Sequence, residues 1–286
     1  MKHWTLDQVP WDRFDANLAE PALVPLVKAA ALVEYNANDY TTYLCGVFHD
    51  DPDFQQAARY WAAEEVQHGQ ALGKWAKLAD PEFDFEDAFA RFRDAFKLPL
   101  GAETSVRGSR TGELIARCMV ETGTSSYYSA LADTTREPVL EQVCRLIAAD
   151  EYRHFKLFYD HMKRYLAREK LSVFDRARIA LGRITETEDD ELACAYHCAN
   201  TRPGSVYRHE EAMAGYLSRA IAAYQPHHVQ RGTGMIFKAV GLPPRGRISD
   251  LAARGGYLLM QRRRRKMERI LERAAASQAP PLARAA

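Results

Sequence analysis

The chain has 286 residues, of which 47% are hydrophobic and 27% are charged, and its formal net charge is +1 at pH 7. This length allows one large domain or two small ones, and the near-neutral charge argues against a nucleic-acid partner. The sequence has no run of about 18 apolar residues, no signal peptide and no paired framework among its five cysteines. We therefore expect a cytoplasmic protein without a membrane span.

Apolar residues that recur at intervals of three and four predict helices along most of the chain. After an N-terminal extension over residues 1–19, four long helices are predicted over 20–49, 52–79, 108–133 and 137–169. The long connection between the second and the third contains a short amphipathic helix at 85–96. One crossover of this kind joins two helical hairpins into a bundle.

Further helices are predicted beyond residue 170, over 172–200, 205–224 and 249–276. The tail over 277–286 is rich in Ala and Pro, and we expect it to be disordered. The sequence therefore predicts an all-α fold, in which residues 20–170 form a four-helix bundle and residues 171–276 pack on it.

Two similar motifs lie on the second and the fourth predicted helices. Each is an acid followed by Glu-x-x-His, as Glu64-Glu65-Val66-Gln67-His68 and Asp150-Glu151-Tyr152-Arg153-His154. A helix places residues i and i+3 on one face, so each motif directs a carboxylate and an imidazole to the same place. One such motif alone is usually a solvated surface pair.

Two further glutamates make the pair of motifs an internal repeat. Glu34 precedes Glu65 by 31 residues, and Glu121 precedes Glu151 by 30. Midway between the two members of each pair, the chain has a helix stop and a restart with proline in its first turn. A chain that climbs about 15 residues and descends about 15, at ~1.5 Å per residue, returns to the same level. Each hairpin should therefore bring its two glutamates face to face.

Antiparallel packing of the two hairpins would bring four carboxylates and two imidazoles together in the bundle core. Carboxylates in apolar surroundings are costly unless they are paired or bind metal. Oxygen and nitrogen ligands in this ratio suit iron or manganese, and four carboxylates neutralise two divalent ions. We predict a site for two metal ions, formed by Glu34, Glu65, His68, Glu121, Glu151 and His154.

The same residues resemble the ferritin-like di-iron carboxylate proteins over about residues 20–170, and are most similar to the soluble acyl-carrier-protein desaturases. Residues 63–69 resemble that family's Glu-Glu-Asn-Arg-His-Gly, with Gln67 in place of its arginine. Residues 148–154 resemble its Ala-Ala-Asp-Glu-Lys-Arg-His. Thr124, three residues after Glu121, stands where the desaturases have an active-site threonine beside the oxygen-binding position.

This resemblance implies two iron ions, cycling between Fe2+ and Fe3+, with Glu65 and Glu151 as bridging ligands. Glu34 and Glu121 would be terminal ligands, and one imidazole would bind each ion. Manganese is the alternative metal.

The resemblance also implies a surrounding charged network, in which the acid before each bridging glutamate orients the histidine of the other motif. Asp150 would orient His68, Glu64 would orient His154, and Arg153 would complete the network. The alternative for Glu64 and Arg153 is an ordinary solvated side chain.

The function that this resemblance implies is the oxidation of an apolar substrate by dioxygen. Reduced di-iron centres provide an oxidant strong enough to remove hydrogen from an unactivated C–H bond. We expect a desaturase-like or monooxygenase-like enzyme that acts on an acyl chain, carried on acyl carrier protein or not, with an external ferredoxin-like electron donor. Candidates for its pocket lining are Trp61, Cys118, Thr124 and Tyr128, for which the alternative is ordinary core packing.

Two other functions remain open at this point. The first is a ferritin-like or rubrerythrin-like protein that handles iron or scavenges peroxide, and the second is a scaffold that keeps the ligands. A radical-generating role is disfavoured, because Leu72 stands where the ribonucleotide reductase small subunit has its radical tyrosine. We also expect a homodimer, because the bundle has so much apolar helix surface.

Two remaining features could be functional or structural. Cys194, His197 and Cys198, with His209 nearby, could form a second metal site, but their helical spacing favours buried structural residues. The basic run over 262–266 could contact an acidic carrier protein, or it could be a solvated helix face.

Overall fold

The computed structural model describes residues 3–185 and 190–278, and this part of the chain is helical and has no β-strand. The predicted all-α fold is confirmed. Two short 3-10 turns, Leu6–Gln8 and Trp11–Arg13, precede the α-helices. These are α1 (Val24–Tyr35), α2 (Ala37–Val47), α3 (Pro52–Ala79), α4 (Phe85–Ala95), α5 (Arg110–Thr134), α6 (Pro138–Glu169), α7 (Val173–Thr185), α8 (Asp190–Asn200), α9 (His209–Ala223), α10 (Pro226–Val240) and α11 (Arg247–Gln278).

Two helical hairpins, α1 with α3 and α5 with α6, form the bundle, and α3 also packs against α6. Local capping explains where the second helix of each hairpin begins. The Asp51 carboxylate accepts a hydrogen bond from the Phe54 N–H (3.0 Å) at the start of α3. The Glu137 carboxylate accepts one from the Leu140 N–H (2.7 Å) at the start of α6. These bonds satisfy N–H groups that have no partner within their helix.

The predicted helix over 20–49 is wrong in its extent. It is two helices, which are separated at Asn36 with φ of −82° and ψ of 7°. The Asn36 N–H donates to the Val33 carbonyl (3.1 Å), which tightens the last turn of α1 and ends it. The start moves to Val24 because Pro25 has no N–H and is tolerated only in the first turn. Glu34 therefore lies in the last turn of α1.

The apolar pattern did not predict α10. Pro226 in its first turn and Gly241 (φ 86°) after its last turn are the ordinary signals of a helix start and stop. The helix packs on α5 at Gly232, where a Cβ would lie 3.0 Å from the Ser126 hydroxyl oxygen. The C-terminal helices therefore contact the bundle directly.

Three other predictions concern the C-terminal third of the chain. The helix predicted over 205–224 begins at His209, and the helix predicted over 249–276 is α11. Of the helix predicted over 172–200, α7 and α8 are described, and residues 186–189 lie outside the described residues. Most of the predicted tail, residues 279–286, also lies outside them. The division of the chain into domains stays a prediction.

A polar layer crosses the bundle between two hydrophobic clusters. On α3, Trp61 belongs to one cluster and Leu72 to the other, with Glu65 and His68 between them. On α6, Ile147 and Phe155 belong to different clusters in the same way. Membrane-spanning helices are absent from the described residues, since none is both long and apolar enough.

A close contact between α1 and α3 positions this polar layer. A Cβ at Gly69 would lie 2.7 Å from the Tyr35 backbone nitrogen, so only glycine fits there without moving α1. Because Tyr35 follows Glu34, this contact brings the Glu34 carboxylate against α3.

Candidate metal centre

The six predicted ligands converge in the polar layer, and each is at most 6% exposed. Their carboxylate and imidazole atoms form two groups, and within each group the ligand atoms lie within 4.8 Å of one another. One group consists of Glu34, Glu65, His68 and Glu151, and the other of Glu65, Glu121, Glu151 and His154. The two groups share two carboxylates, which is the arrangement that two adjacent ions with bridging ligands require.

Both histidine rings direct Nδ1 toward the carboxylates. His68 Nδ1 lies 3.3–3.7 Å from an oxygen of each carboxylate in its group. His154 Nδ1 lies 2.9–3.8 Å from an oxygen of each carboxylate in its group. The two ring centroids are 5.8 Å apart. Each group therefore has one imidazole of its own.

The other nitrogen of each ring contacts the acid of the opposite motif. His68 Nε2 lies 2.9 Å from Asp150 Oδ2, and His154 Nε2 lies 2.8 Å from Glu64 Oε2. Arg153 lies between these acids, at 2.5 Å from Asp150 Oδ1 and 3.2 Å from Glu64 Oε1. Carboxylates at Nε2 place the proton on that nitrogen and leave Nδ1 free to bind a metal ion.

Several buried atoms of the centre have no hydrogen-bond partner within the described residues. They are His68 Nδ1, His154 Nδ1, Glu121 Oε1 and Glu151 Oε1. Nδ1 and carboxylate oxygens are ligand atoms for iron or manganese, and leaving four of them unpaired in a protein core is costly. The residues present therefore fit two metal ions.

Protons balance the charge of the centre in the metal-free protein. Burial raises the pKa of Glu34 and of Glu121 well above the usual range, and neighbouring carboxylates add to both shifts. Although burial opposes the effect, the surrounding carboxylates raise the pKa of His68 and of His154 well above the usual range. Two divalent ions would replace these protons as the source of positive charge.

Glu34 and Glu121, each of which belongs to only one group, differ in their surroundings. The Tyr128 hydroxyl, which is fully buried, donates a short hydrogen bond to Glu34 Oε1. In the described structure, no hydroxyl donates to the Glu121 carboxylate. The Thr124 hydroxyl on the same helix donates to Glu151 Oε2 (2.6 Å) and to the Glu121 backbone carbonyl (3.3 Å). Glu34 thus has a hydroxyl donor, whereas the Glu121 carboxylate has none.

The N-terminal extension completes one side of the centre, which sequence reasoning missed. Trp4 Nε1 donates to Asp150 Oδ2 (2.8 Å), and its ring stacks on His68 at a centroid distance of 6.1 Å. The Gln67 side chain donates to the Trp4 carbonyl (3.0 Å), so the position that departs from the desaturase motif holds this segment. His3 forms an ion pair with Glu64. No periodicity in residues 1–19 signalled these contacts.

A cavity of about 60 Å³ adjoins the centre. Of the residues predicted to line a pocket, Trp61 and Thr124 line this cavity. Cys118 and Tyr128 do not, and they belong to the second and the first hydrophobic cluster, respectively. The rest of the lining comprises the ligands Glu34, Glu65, Glu121 and Glu151, the apolar residues Val33, Ala37 and Val120, and the polar residues Tyr40, Arg117, Arg183 and Glu191.

Two other sets of possible ligands are less suited to metal. Asp133, His227 and His228 converge near the surface, but His228 Nδ1 accepts the Gln225 N–H (2.9 Å), so its Nε2 carries the proton and donates to Asp133. Cys194 and Cys198 are buried in the first hydrophobic cluster, and the described residues show no metal-binding group there.

One protein family matches the part of the chain that contains the centre. A family model described as fatty acid desaturase matches residues 11–180, which is more than half of the chain. The matched range contains all six converging ligands, the three charged residues around them and Thr124. No curated protein matches the chain.

Proposed function

The chain belongs to the fatty acid desaturase family, and we propose that it is a di-iron enzyme that uses dioxygen to desaturate or hydroxylate an acyl substrate. Membership of the family makes it an oxidoreductase that acts on a fatty-acid-like substrate. The proposal adds the two iron ions, the ferritin-like class of the bundle and the likeness to the soluble acyl-carrier-protein desaturases.

The observation that carries the proposal is the pair of ligand groups that share Glu65 and Glu151. The six side chains form two groups around two points, and not one group around a single point, so two ions would use all six. Four carboxylates and two divalent ions sum to zero charge, which a buried site tolerates. Iron is the proposed metal and manganese the alternative, because both accept oxygen and nitrogen ligands.

Two bound iron ions would supply the activation of dioxygen and the oxidising power to attack a C–H bond. The chain's own residues orient the ligands and exclude water. Asp150 and Glu64 fix the histidine rings, and the hydrophobic clusters close both ends of the polar layer. Thr124 lines the cavity beside Glu121, where its hydroxyl can hold or donate a proton.

Several partners belong to the proposal. Removal of two hydrogens with reduction of dioxygen to two waters requires two electrons and two protons from outside, for which we propose a ferredoxin-like donor. The acyl substrate would enter either as a free acid or as a thioester on acyl carrier protein. The homodimer and the cytoplasmic location stay predictions.

A single-turnover reaction tests the proposed function. Iron-loaded protein, reduced without oxygen, would be mixed with oxygenated buffer and either palmitic acid or the palmitoyl thioester of acyl carrier protein. We expect mass spectrometry to find a product that has lost two hydrogens or gained one oxygen. Unchanged substrates, together with iron that continues to accumulate on the protein, would instead support the iron-handling alternative.

A further inference from the structure

The last helix, α11, leaves an apolar face exposed to solvent. Its other face contains the buried residues Ser249, Ala253 and Met267 and packs on α9 and α10. Four large apolar residues on the open face are 60–78% exposed, namely Ile248, Leu251, Leu258 and Leu259. Steps of three, four or seven residues return to the same side of a helix, so these residues form one stripe. An exposed apolar stripe of this kind indicates a surface that meets another molecule.

The same stripe becomes cationic in the second half of α11. Five exposed cations continue its spacing after Leu259: Arg262, Arg265, Lys266, Arg269 and Arg273. Nearby, Arg264 pairs with Glu268 (3.3 Å), whereas the five cations make no ion pair within the described residues. One face of the helix therefore presents large apolar side chains followed by exposed positive charge.

An anionic lipid bilayer has the chemistry that this stripe requires. The isoleucine and leucine side chains can enter the boundary of the acyl chains, and the cations can contact lipid phosphates above it. Arg247 and Arg254 are exposed one turn before Leu251 and Leu258. Arginine side chains reach the headgroups while their stems contact the acyl region. The helix would lie along the surface of the bilayer without crossing it.

A second copy of the chain is less suited to this face. A two-fold contact presents the same patch from both copies. Over its whole length, α11 has nine Lys and Arg residues and three Asp and Glu residues. Two copies would therefore bring like charges together, which costs free energy. An anionic bilayer satisfies the apolar half and the cationic half of the stripe at once.

We propose that α11 binds the protein to the surface of an anionic phospholipid bilayer. The apolar half of the stripe enters the acyl boundary, and the five cations that follow it contact the phosphate groups. The inference goes beyond the proposed function, because it requires no bound metal and no chemistry at the centre. Metal-free and metal-loaded protein should bind equally.

Sedimentation of the full chain with lipid vesicles tests the proposal. Vesicles of phosphatidylcholine alone are compared with vesicles of equal parts phosphatidylcholine and phosphatidylglycerol. We expect the affinity for the mixed vesicles to be about tenfold higher or more. Added salt should reduce this preference, because ions screen the attraction between the cations and the lipid phosphates.

Substitution of the apolar half should weaken binding to the mixed vesicles. Leu258→Glu combined with Leu259→Glu should lower the affinity by about tenfold or more, because the helix loses buried apolar area and gains negative charge. Both side chains are exposed, so the fold should be retained, and circular dichroism checks it. Val106→Glu is the matched control, because Val106 is 67% exposed in the connection between α4 and α5.

Substitution of the cationic half should act on the preference for anionic lipid. Arg262→Gln combined with Lys266→Gln should reduce the difference in affinity between the two kinds of vesicle. Arg59→Gln combined with Arg168→Gln removes the same charge from exposed positions on α3 and α6 and should leave the difference unchanged. An equal reduction in both double variants would show that net charge, and not α11, binds the lipid, and would overturn the proposal.

Equal binding of the unmodified chain to the two kinds of vesicle, or binding to neither, would also overturn the proposal, and this comparison requires no variant. Two such results would identify another occupant of the stripe. One is a dimer in the absence of lipid that the leucine substitutions dissociate, and the other is an acidic carrier protein whose binding those substitutions abolish.

Discussion

The two halves of the centre, one around His68 and one around His154, have the same ligands but different surroundings. His68 is oriented by Asp150, which is 2% exposed and also accepts the indole N–H of Trp4. His154 is oriented by Glu64, whose side chain is 19% exposed and contacts Arg153 and the exposed His3. The repeat determines which side chains converge, whereas segments outside the repeat determine how exposed each half is to solvent.

A contrast also holds for Glu34 and Glu121, each of which belongs to only one group. The Tyr128 hydroxyl donates to Glu34, whereas Glu121 Oε1 has no hydrogen-bond partner in the described structure. Both carboxylates line the same cavity. The two half-sites therefore differ in their hydrogen bonding and not in their access to the cavity.

Removal of both shared ligands should destroy the two halves together. Glu65→Ala combined with Glu151→Ala should reduce bound metal from two ions per chain to none, because each group loses two of its four ligands. Metal analysis after desalting measures this, and circular dichroism checks the helices. The control is Glu113→Ala, a buried glutamate of α5 that accepts the Tyr43 hydroxyl outside the centre. Metal retained by the double variant would refute the site.

Substitution of the two orienting acids, Asp150 and Glu64, should lower metal affinity to different extents in the two halves. Asp150→Asn should lower the affinity for one ion by about 10–100-fold, because His68 loses the carboxylate that sets its tautomer. Glu64→Gln should cost less, since water can replace a partner that is partly exposed. Competition with a chromophoric chelator measures both affinities. Equal losses would mean that the two halves are equivalent.

The hydroxyl that holds Glu34 should contribute to the stability of the metal-free protein. Tyr128→Phe leaves a buried carboxylate oxygen without a donor, which should lower the free energy of unfolding in urea by about 1–3 kcal/mol. Its neighbour Tyr127 is the matched control, because its buried hydroxyl makes no hydrogen bond in the described structure. Tyr127→Phe should change stability by less than about 0.5 kcal/mol. The same loss in both variants would contradict the assigned role of Tyr128.

The smallest effect on metal binding is expected for Thr124, which lines the cavity. Thr124→Val keeps the shape of the side chain and removes one hydrogen bond to Glu151, so iron affinity should fall by less than about tenfold. Product formed per iron oxidised should fall more, because the cavity loses its hydroxyl. Thr122→Val is the control, since that hydroxyl donates to the Cys118 carbonyl away from the cavity. Identical product yields in the two variants would remove Thr124 from the chemistry.

The sequence was sufficient for the parts of the centre that follow from helix geometry. The i, i+3 spacing and the two proline restarts placed Glu65, His68, Glu151 and His154 on facing helices, and equal arm lengths placed Glu34 and Glu121 opposite them. The break at Asn36 was not predicted, because the residues of α1 and α2 have compatible apolar spacing and a tightened turn leaves no compositional signal.

Contacts between distant segments could not be predicted in this way. Trp4 meets Asp150 and His68 from an extension without periodicity, and Arg117 resembles any other charged residue on an amphipathic helix. The burial of Arg117 depends on the positions of Tyr40 on α2 and Glu191 on α8. The residue pattern of α5 alone gives no information about these positions. The helix α10 could have been predicted, because Pro226 and Gly241 are ordinary start and stop residues.

The most direct test of the account is a titration of metal-free protein with ferrous ion in the presence of oxygen, with iron retained per chain measured after each addition. We predict that uptake stops at about two irons per chain, as two groups with shared carboxylates require. A transient coloured species should follow oxygen exposure and decay faster when an acyl substrate is present. Uptake of many irons, or of none, would contradict the di-iron oxidoreductase.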